Sequence, residues 1–416
     1  MFLKSLIFVL TFQFSNGNPV EQVHLSLSGK ADEMVVTWLT HDPLPNLTPY
    51  ALFGLSRDAL RFTAKGNTTG WADQGNGQMR YTHRATMQNL VQGKVYYYQV
   101  GSSQAMSSIF NFRQPDQFQP LRAAIFGDLS VDIGQETIDY LTTKRDQLDV
   151  IIHIGDLAYN LHDQNGTTGD EYMNVIEPFA AYVPYMVFAG NHESNSIFNH
   201  IIHRFTMPKN GVYNDNLFWS FDFGNAHFIG LNSEYYPEKM SKEAQAQYKW
   251  LREDLEQNSR NWVIVMLHRP WYCSNETPEG CNDGWDTLPR QGLGKLFPGL
   301  EDLLNEYTVD MVLYGHRHTY ERMWPIYNKN PYKSENPGHI KNAPAPVYIL
   351  TGSAGCHSHE DPSDHIMQDF SVKALGEYGY TYLTVHNSTH LFTDFVDTFS
   401  GNITSLDSFV LEKNST

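Results

Sequence analysis

Apolar and polar positions alternate in short stretches over the first part of the chain, and predominantly apolar runs of four or five residues replace them after residue 120. Val23 to Ser28 alternates, Met34 to Leu39 is β-branched and aromatic, and Val95 to Val100 is rich in tyrosine. Gly and Asn punctuate these stretches, and no helical period is present, so the pattern predicts a β-sandwich of the immunoglobulin or fibronectin kind over residues 18–117. The segment Gln114 to Pro120 carries two prolines and reads as a linker. Beyond it, Ala123 to Phe126, Val150 to Ile154, Tyr185 to Ala189, Val263 to Leu267 and Met311 to Tyr314 are strands of the type buried on both faces. Helical stretches such as Gln135 to Arg145 and Lys242 to Gln257 separate several of them, which predicts an α/β layered domain over residues 118–416. Phe218 to Phe223 and Ala226 to Leu231 flank Gly224-Asn225 and predict a hairpin. Val347 to Leu350, Tyr380 to Val385 and His390 to Phe395 return to strand.

A chain of 416 residues with 41% hydrophobic and 13% aromatic content has material for two cores. Its formal net charge of −17 argues against a nucleic-acid partner, which needs a basic surface. That charge does not exclude a small phosphate substrate, because bound cations reverse the sign locally. Lys4, the apolar stretch Leu6 to Phe12 and the small residues Ser15 and Gly17 form a signal peptide over residues 1–17, placing the mature start near Asn18 and the protein outside the cell or in a lysosome. No other run is long and apolar enough to span a membrane. Asn-x-Ser/Thr acceptor sites at Asn46, Asn67, Asn165, Asn275, Asn387, Asn402 and Asn414 fit that secretory route. Cys273 and Cys281 enclose a short polar loop and are the candidate disulfide, with Cys356 left over. No Cys-x-x-Cys spacing supports a thiolate metal site. The sequence leaves the oligomeric state open, a homodimer included.

The chemistry is concentrated where the later apolar runs end. Gly127-Asp128, Gly155-Asp156 with Tyr159 three residues on, Gly190-Asn191-His192, His268, and Gly315-His316 with His318 each follow such a run, where open α/β sheets place their sites. Any one of them fits a turn or a satisfied core residue. Together they provide oxygen and nitrogen donors for two cations, with one carboxylate able to bridge, and the spacing of His316 and His318 predicts imidazoles on one side of an extended segment. A paired-cation site points to hydrolysis, chiefly of phosphate esters.

These motifs, Gly127-Asp128-Leu129-Ser130, Gly155-Asp156-Leu157-Ala158-Tyr159, Gly190-Asn191-His192-Glu193, Val265-Met266-Leu267-His268 and Gly315-His316-Arg317-His318, resemble those of the purple acid phosphatases in their long, two-domain secreted form. The resemblance implies Fe(III) held by Asp128, Asp156, Tyr159 and His318. It implies a divalent zinc, manganese or iron ion held by Asp156, Asn191, His268 and His316, with Asp156 shared. Carboxylate and phenolate oxygens suit the trivalent ion, and amide oxygen and imidazole the divalent one. About five positive charges would face about three ligand charges, drawing a phosphate dianion and activating water as hydroxide for in-line attack. His192 is then the catalytic residue that orients phosphate and protonates the leaving oxygen, and Arg317 and Glu193 shape the pocket.

Two departures accompany the resemblance. The first motif ends in Ser130 where the family has glycine, and Trp271 to Trp285 contains no histidine where the family often places a second one. His357 and His359 are substitutes for that second histidine, against a plain surface-loop reading. The expected activity is acid phosphatase action on small phosphate monoesters. A phosphodiesterase or nucleotide pyrophosphatase using the same metal pair, and a non-catalytic secreted metal-binding module, are the alternatives.

Overall fold

In the computed structural model the described residues are 20–44, 47–73, 77–213, 215–274, 281, 284–358, 366–400 and 405–414. The signal segment, Asn46, Asn275, Asn402 and His359 lie outside them.

Seven antiparallel strands form the first domain: β1 (Glu21–Ser26), β2 (Met34–Thr40), β3 (Tyr50–Gly54), β4 (Phe62–Ala72), β5 (Met79–Met87), β6 (Val95–Gly101) and β7 (Phe110–Arg113), in the order β1-β2-β5-β4-β3-β6-β7. Strand β4 joins the two halves of the sandwich, because its first residues pair with β3 and the rest, from Gly66 to Ala72, with β5. Trp38, Met34, Val36, Tyr98 and Val100 fill the interior. Alternation fails in β1, where residues on both faces are buried, because its outer face is covered by a helix of the second domain. The proposed linker is pinned at its start: Gln114 is buried and its amide donates to the Ala31 carbonyl at 2.8 Å.

Among the described residues the second domain contains two large sheets and a two-stranded one that pairs Gly292–Leu293 with Phe297–Pro298. Strands β8 (Leu121–Phe126), β9 (Val150–His153) and β10 (Tyr185–Val187) run parallel, and helices α1 (Gln135–Lys144) and α2 (Thr167–Ala180) make the crossovers. Helix α3 (Asn195–Arg204) follows β10. The hairpin β11 (Trp219–Phe223) and β12 (Ala226–Gly230), helix α4 (Ser241–Gln257), β13 (Trp262–Met266), β14 (Met311–Tyr314), β15 (Tyr320–Tyr327) and β16 (Val347–Thr351) follow. The other sheet has the order β11-β12-β13-β14-β16-β15, with β12, β13, β14 and β16 parallel. Strands β17 (Gly379–Val385), β18 (His390–Asp397) and β19 (Ser405–Glu412) return to the first sheet, β17 pairing with β8. The five apolar runs are therefore divided between two sheets rather than lined up in one. The sheets share a core: Tyr320 stacks on Phe395 with ring centroids 4.2 Å apart, and Thr381 donates to Thr351 at 3.0 Å.

The domains are docked through polar contacts as well as packing. Val23 N–H donates to Glu177 of α2 at 2.8 Å, Tyr98 hydroxyl to the Ala181 carbonyl at 2.6 Å, and Arg84 to the His203 carbonyl at 2.6 Å. No helix among the described residues is long and apolar enough to cross a membrane.

Candidate metal centre

Every motif singled out in the sequence emerges at the carboxyl end of a parallel strand: Asp128 after β8, Asp156 after β9, Asn191 and His192 after β10, His268 after β13, and His316 and His318 after β14. Because these strands belong to two sheets, the site closes only where their ends meet. The Gly127 N–H donates to Thr351 at 2.9 Å, and the Gly315 N–H to the His268 carbonyl at 3.1 Å. At Gly155, with φ at 90°, a β-carbon would lie 2.6 Å from His268 Nδ1 and 2.7 Å from Gly190 N, so close approach of three loops requires glycine there.

The donor atoms form two groups. In one, Asn191 Oδ1 lies 3.0 Å from His268 Nε2 and 2.8 Å from His316 Nδ1, and Asp156 Oδ2 lies 3.3 Å from His268 Nε2. In the other, Tyr159 Oη lies 2.8 Å from His318 Nε2 and 3.4 Å from Asp128 Oδ1, which is 3.4 Å from His318 Nε2. Ligands held at about 2.1 Å around one cation are about 3.0–3.4 Å from each other, the spacing found here. Asp128, Asp156 and His268 are fully buried. The segment bearing His316 and His318 is a turn rather than an extended run, with His316 at φ 71° and the Arg317 N–H donating to Gly315 at 2.9 Å. The two imidazoles consequently serve different groups.

Protonation states show what these groups are built to hold. His268 Nδ1 lies 2.9 Å from the Ile154 carbonyl, and His318 Nδ1 lies 2.6 Å from the Ser358 carbonyl. A carbonyl only accepts, so each ring carries a hydrogen on Nδ1 and turns Nε2 toward oxygens, amide and carboxylate for His268, phenol and carboxylate for His318. Oxygens then converge on each Nε2 with too little positive charge among them, a deficit that a proton on Nε2 or a cation in its place relieves. The same deficit is visible in the titration tendencies. Burial lowers His268, but the Asp156 carboxylate outweighs it and pushes the ring up to about 10. Burial likewise opposes Asp128 at His318, which is pushed up to about 11. Asp128 is held above the usual carboxylate range by burial. Glu193 is pushed up to about 8, by burial first and then by the Asp156 charge. Burial also works to raise Asp156, yet His268 holds it below the usual range. The donor set fits two cations.

Backbone strain is present at the same positions. Asp128, Asp156, Tyr159 and His316 have φ of 65°, 57°, 49° and 71°. The left-handed region costs an L-residue about 1–2 kcal/mol, and such costs persist where surrounding contacts over-determine the backbone. Glu193 provides one such set of contacts, accepting from Asp156 N at 2.8 Å, Leu157 N at 2.9 Å and Gly190 N at 2.9 Å. His192 stands beside the donors: its backbone N–H donates to Asp156 Oδ1 at 3.1 Å, its Nδ1 lies 2.9 Å from Asn160 Oδ1, and its Nε2 lies 3.9 Å from Asp156 Oδ2. Asn160, which directly follows Tyr159, joins the site through this bond to His192, and no motif in the sequence marks it. Ser130, the departure from glycine, donates through Oγ to the Gly355 carbonyl at 3.1 Å and so ties the Asp128 loop to the segment whose Ser358 carbonyl orients His318. His357 is exposed and paired with Asp132 at 2.7 Å. Cys273 and Cys281 form a disulfide beside buried Trp271 and Tyr272, and Cys356 is free and buried.

Two groups of donor atoms converge at the carboxyl ends of strands from two sheets, an arrangement suited to a metallophosphoesterase, and the comparisons establish the class. Residues 20–114 match the family of purple acid phosphatase N-terminal domains, residues 121–320 the calcineurin-like phosphoesterases, and residues 345–408 the C-terminal region of iron/zinc purple acid phosphatase-like proteins. The chain is 38% identical over 403 residues to human acid phosphatase type 7, covering 93% of this chain and 90% of that one. It is 32% identical to purple acid phosphatase 21 of Arabidopsis thaliana, covering 83% of this chain and 74% of the other. The fold matches purple acid phosphatase PPD1 of yellow lupin seeds with a TM-score of 0.80 at 21% identity, covering 95% of this chain and 75% of that one. The chain belongs to the purple acid phosphatase family. It is an acid phosphatase, a phosphoric monoester hydrolase, and its family carries a dinuclear metal centre.

Proposed function

We propose that the protein hydrolyses small phosphate monoesters on the secretory route, using Fe(III) held by Asp128, Asp156, Tyr159 and His318. A divalent zinc, manganese or iron ion is held by Asp156, Asn191, His268 and His316. The observation that carries this reading is the place of Tyr159, whose hydroxyl lies against His318 and Asp128, while Asp156 contacts His268 of the other group and its charge acts on Asp128 and Tyr159. Hard oxygens gather on one side and imidazoles with an amide on the other, the division expected for unlike ions. A phenol ionises near pH 10, and burial with the Asp128 charge raises Tyr159 further, so only a strongly polarising cation makes it a phenolate. The bound pair supplies a positive field for the phosphate dianion and an activated water-derived nucleophile.

The remaining work falls to side chains. Asn160 Nδ2 donates to Asp163 at 3.0 Å, which turns its Oδ1 toward His192 and fixes the His192 hydrogen on Nδ1. The ring donates from Nε2 as the imidazolium and returns to the neutral form that keeps its hydrogen on Nδ1, so Nε2 is the atom presented to the leaving oxygen. The ring is held edge-on to Tyr159, with centroids 4.8 Å apart, and remains partly open to solvent, as a proton carrier requires. Secretion is supported by the exposure of Asn67, Asn165, Asn387 and Asn414 and by the Cys273–Cys281 disulfide.

The testing experiment is metal analysis with a visible spectrum of the wild type and of Tyr159→Phe, alongside assays on a monoester and a diester. Iron with a phenolate-to-metal band in the wild type, and loss of the band in the variant, are expected. Full monoesterase activity without iron would remove the ferric assignment, and faster diester cleavage would reassign the substrate class.

His192→Ala is expected to slow an alkyl phosphate by about 10²–10⁴-fold. An aryl phosphate with a good leaving group should be slowed much less, and metal content should stay intact. Equal slowing of both substrates would reject the proton-donor role, and loss of metal would make His192 a ligand.

A further inference from the structure

The loop from Ala158 to Gly166 carries Tyr159 at one end and makes unusual demands on its backbone. Ala158, Tyr159, Asn160, Gln164 and Asn165 have φ of 59°, 49°, 83°, 51° and 61°, and Gly166 has φ of 82°. Five non-glycine residues in the left-handed region are more than a free loop sustains. Its internal bonds are few turns, Asp163 N–H to Asn160 at 3.0 Å and Gly166 N–H to His162 at 3.0 Å. What holds its far end comes from outside.

Arg80, on β5 of the first domain, is fully buried and reaches across the domain boundary. Its Nη2 donates to the Asn165 carbonyl at 3.0 Å and to Asp170 Oδ2 at 2.7 Å, and its Nε bridges both Asp170 oxygens at 3.0 Å. Arg204, at the end of α3, completes the clamp by donating to the Gly166 carbonyl at 2.9 Å and to Asp170 Oδ1 at 2.8 Å. Gln22 of β1 joins from the first domain, donating to Asp170 Oδ1 at 3.2 Å. The fit is close: a β-carbon at Gly166 would lie 2.7 Å from Asp73 Oδ2 and 2.9 Å from Arg80 Cζ. Asp170 remains ionised in this setting, since Arg204 and Arg80 overcome burial and bring it down to about 2.

We propose that the β-sandwich is a working part of the catalytic centre, with Arg80 a positioning residue that holds the left-handed loop presenting Tyr159 and Asn160. An arginine suits the task because its planar fork grips the carboxylate through two nitrogens while a further N–H reaches the carbonyl, a geometry that a lysine ammonium reproduces only in part. The inference rests on Tyr159 and His192 serving the centre as proposed above.

The test uses the full-length, metal-loaded protein with Arg80→Met, Arg80→Lys and Tyr159→Phe. Arg80→Met is expected to lower kcat on an alkyl phosphate by about ten- to a hundredfold, the scale of a small misplacement of reacting groups. KM should change little, hydrogen exchange over residues 158–166 should accelerate, and exchange in β9 should not. Arg80→Lys should recover part of kcat. A lower melting temperature with kcat and loop exchange unchanged would overturn the proposal, leaving Arg80 as a fastener between domains. Should Arg80→Met fail to fold, Arg80→Lys decides alone: wild-type kcat and loop exchange would overturn the proposal, and a lowered kcat with faster loop exchange would support it. If Tyr159→Phe keeps both metal content and kcat, the underlying reading of the centre fails. If Tyr159→Phe loses them while Arg80→Met keeps kcat, only the clamp fails.

Discussion

Replacing Asp156 with asparagine is expected to reduce the metal content from two ions per chain to one or none and to lower kcat/KM by about 10³-fold or more. The size follows from charge. Cations at a dinuclear site stabilise several kcal/mol of developing charge, and each 1.36 kcal/mol is tenfold in rate. Asp156 is the carboxylate proposed to be shared: Oδ2 lies 3.3 Å from His268 Nε2, Oδ1 accepts from His192 N at 3.1 Å, and its charge helps raise both Asp128 and Tyr159 of the other group. Asparagine keeps the shape and one acceptor, so the backbone contact to His192 survives and the metal-free fold should be retained. It replaces the other oxygen with an amide nitrogen whose hydrogens point where a cation belongs. Metal analysis, circular dichroism and kinetics on one preparation check this. Two ions per chain with wild-type rates would show that Asp156 is not the shared ligand.

The contrast with His192→Ala is informative, because both residues lie in the same donor cluster and only one is expected to be needed for holding metal. The place of these motifs in the fold was visible in the sequence. Aspartate after Gly155, asparagine after Gly190 and the histidines after β13 and β14 stand where an apolar run stops, and strand ends are what hydrophobic periodicity reports well. Met311–Tyr314 matches its apolar run, and the hairpin at Gly224-Asn225 turns where glycine permits positive φ. The division of these runs between two sheets was not legible, since partner choice between strands depends on contacts far apart in the chain. The same reason hid Arg80 and Asp170, which are 90 residues apart and bonded, and each reads alone as a surface charge. The left-handed backbone at Asp128 and Asp156 was hidden differently. Nothing in residue type marks strain that is imposed by neighbouring loops. Ser130 was noticed as a departure, but its bond to Gly355, 225 residues away, gives it a purpose that no local pattern carries.

Glu193→Gln is expected to weaken metal binding by about 10–100-fold, the usual effect of losing a partner that orients metal ligands. Rates should fall in step unless metal is supplied in excess. Glu193 is buried, and its carboxylate accepts from three backbone donors on two loops: Asp156 N and Gly190 N at Oε2, and Leu157 N at Oε1. All three partners are donors, so glutamine must point its own N–H₂ at one of them. Each buried donor left without an acceptor costs about 1–3 kcal/mol. Alanine would strand all three, a loss comparable with a typical total stability of about 5–15 kcal/mol, so Glu193→Ala is expected to misfold and glutamine is the informative change. The loops it joins carry Asp156 on one side and Asn191 with His192 on the other, so relaxing the tie separates donors that must converge within one coordination shell. Chelator competition gives the affinity, and melting temperatures with and without metal separate the two effects. A role confined to packing would lower both melting temperatures equally and leave the affinity alone. Loss of metal-dependent stabilisation, with the metal-free protein still folded, is the expected outcome.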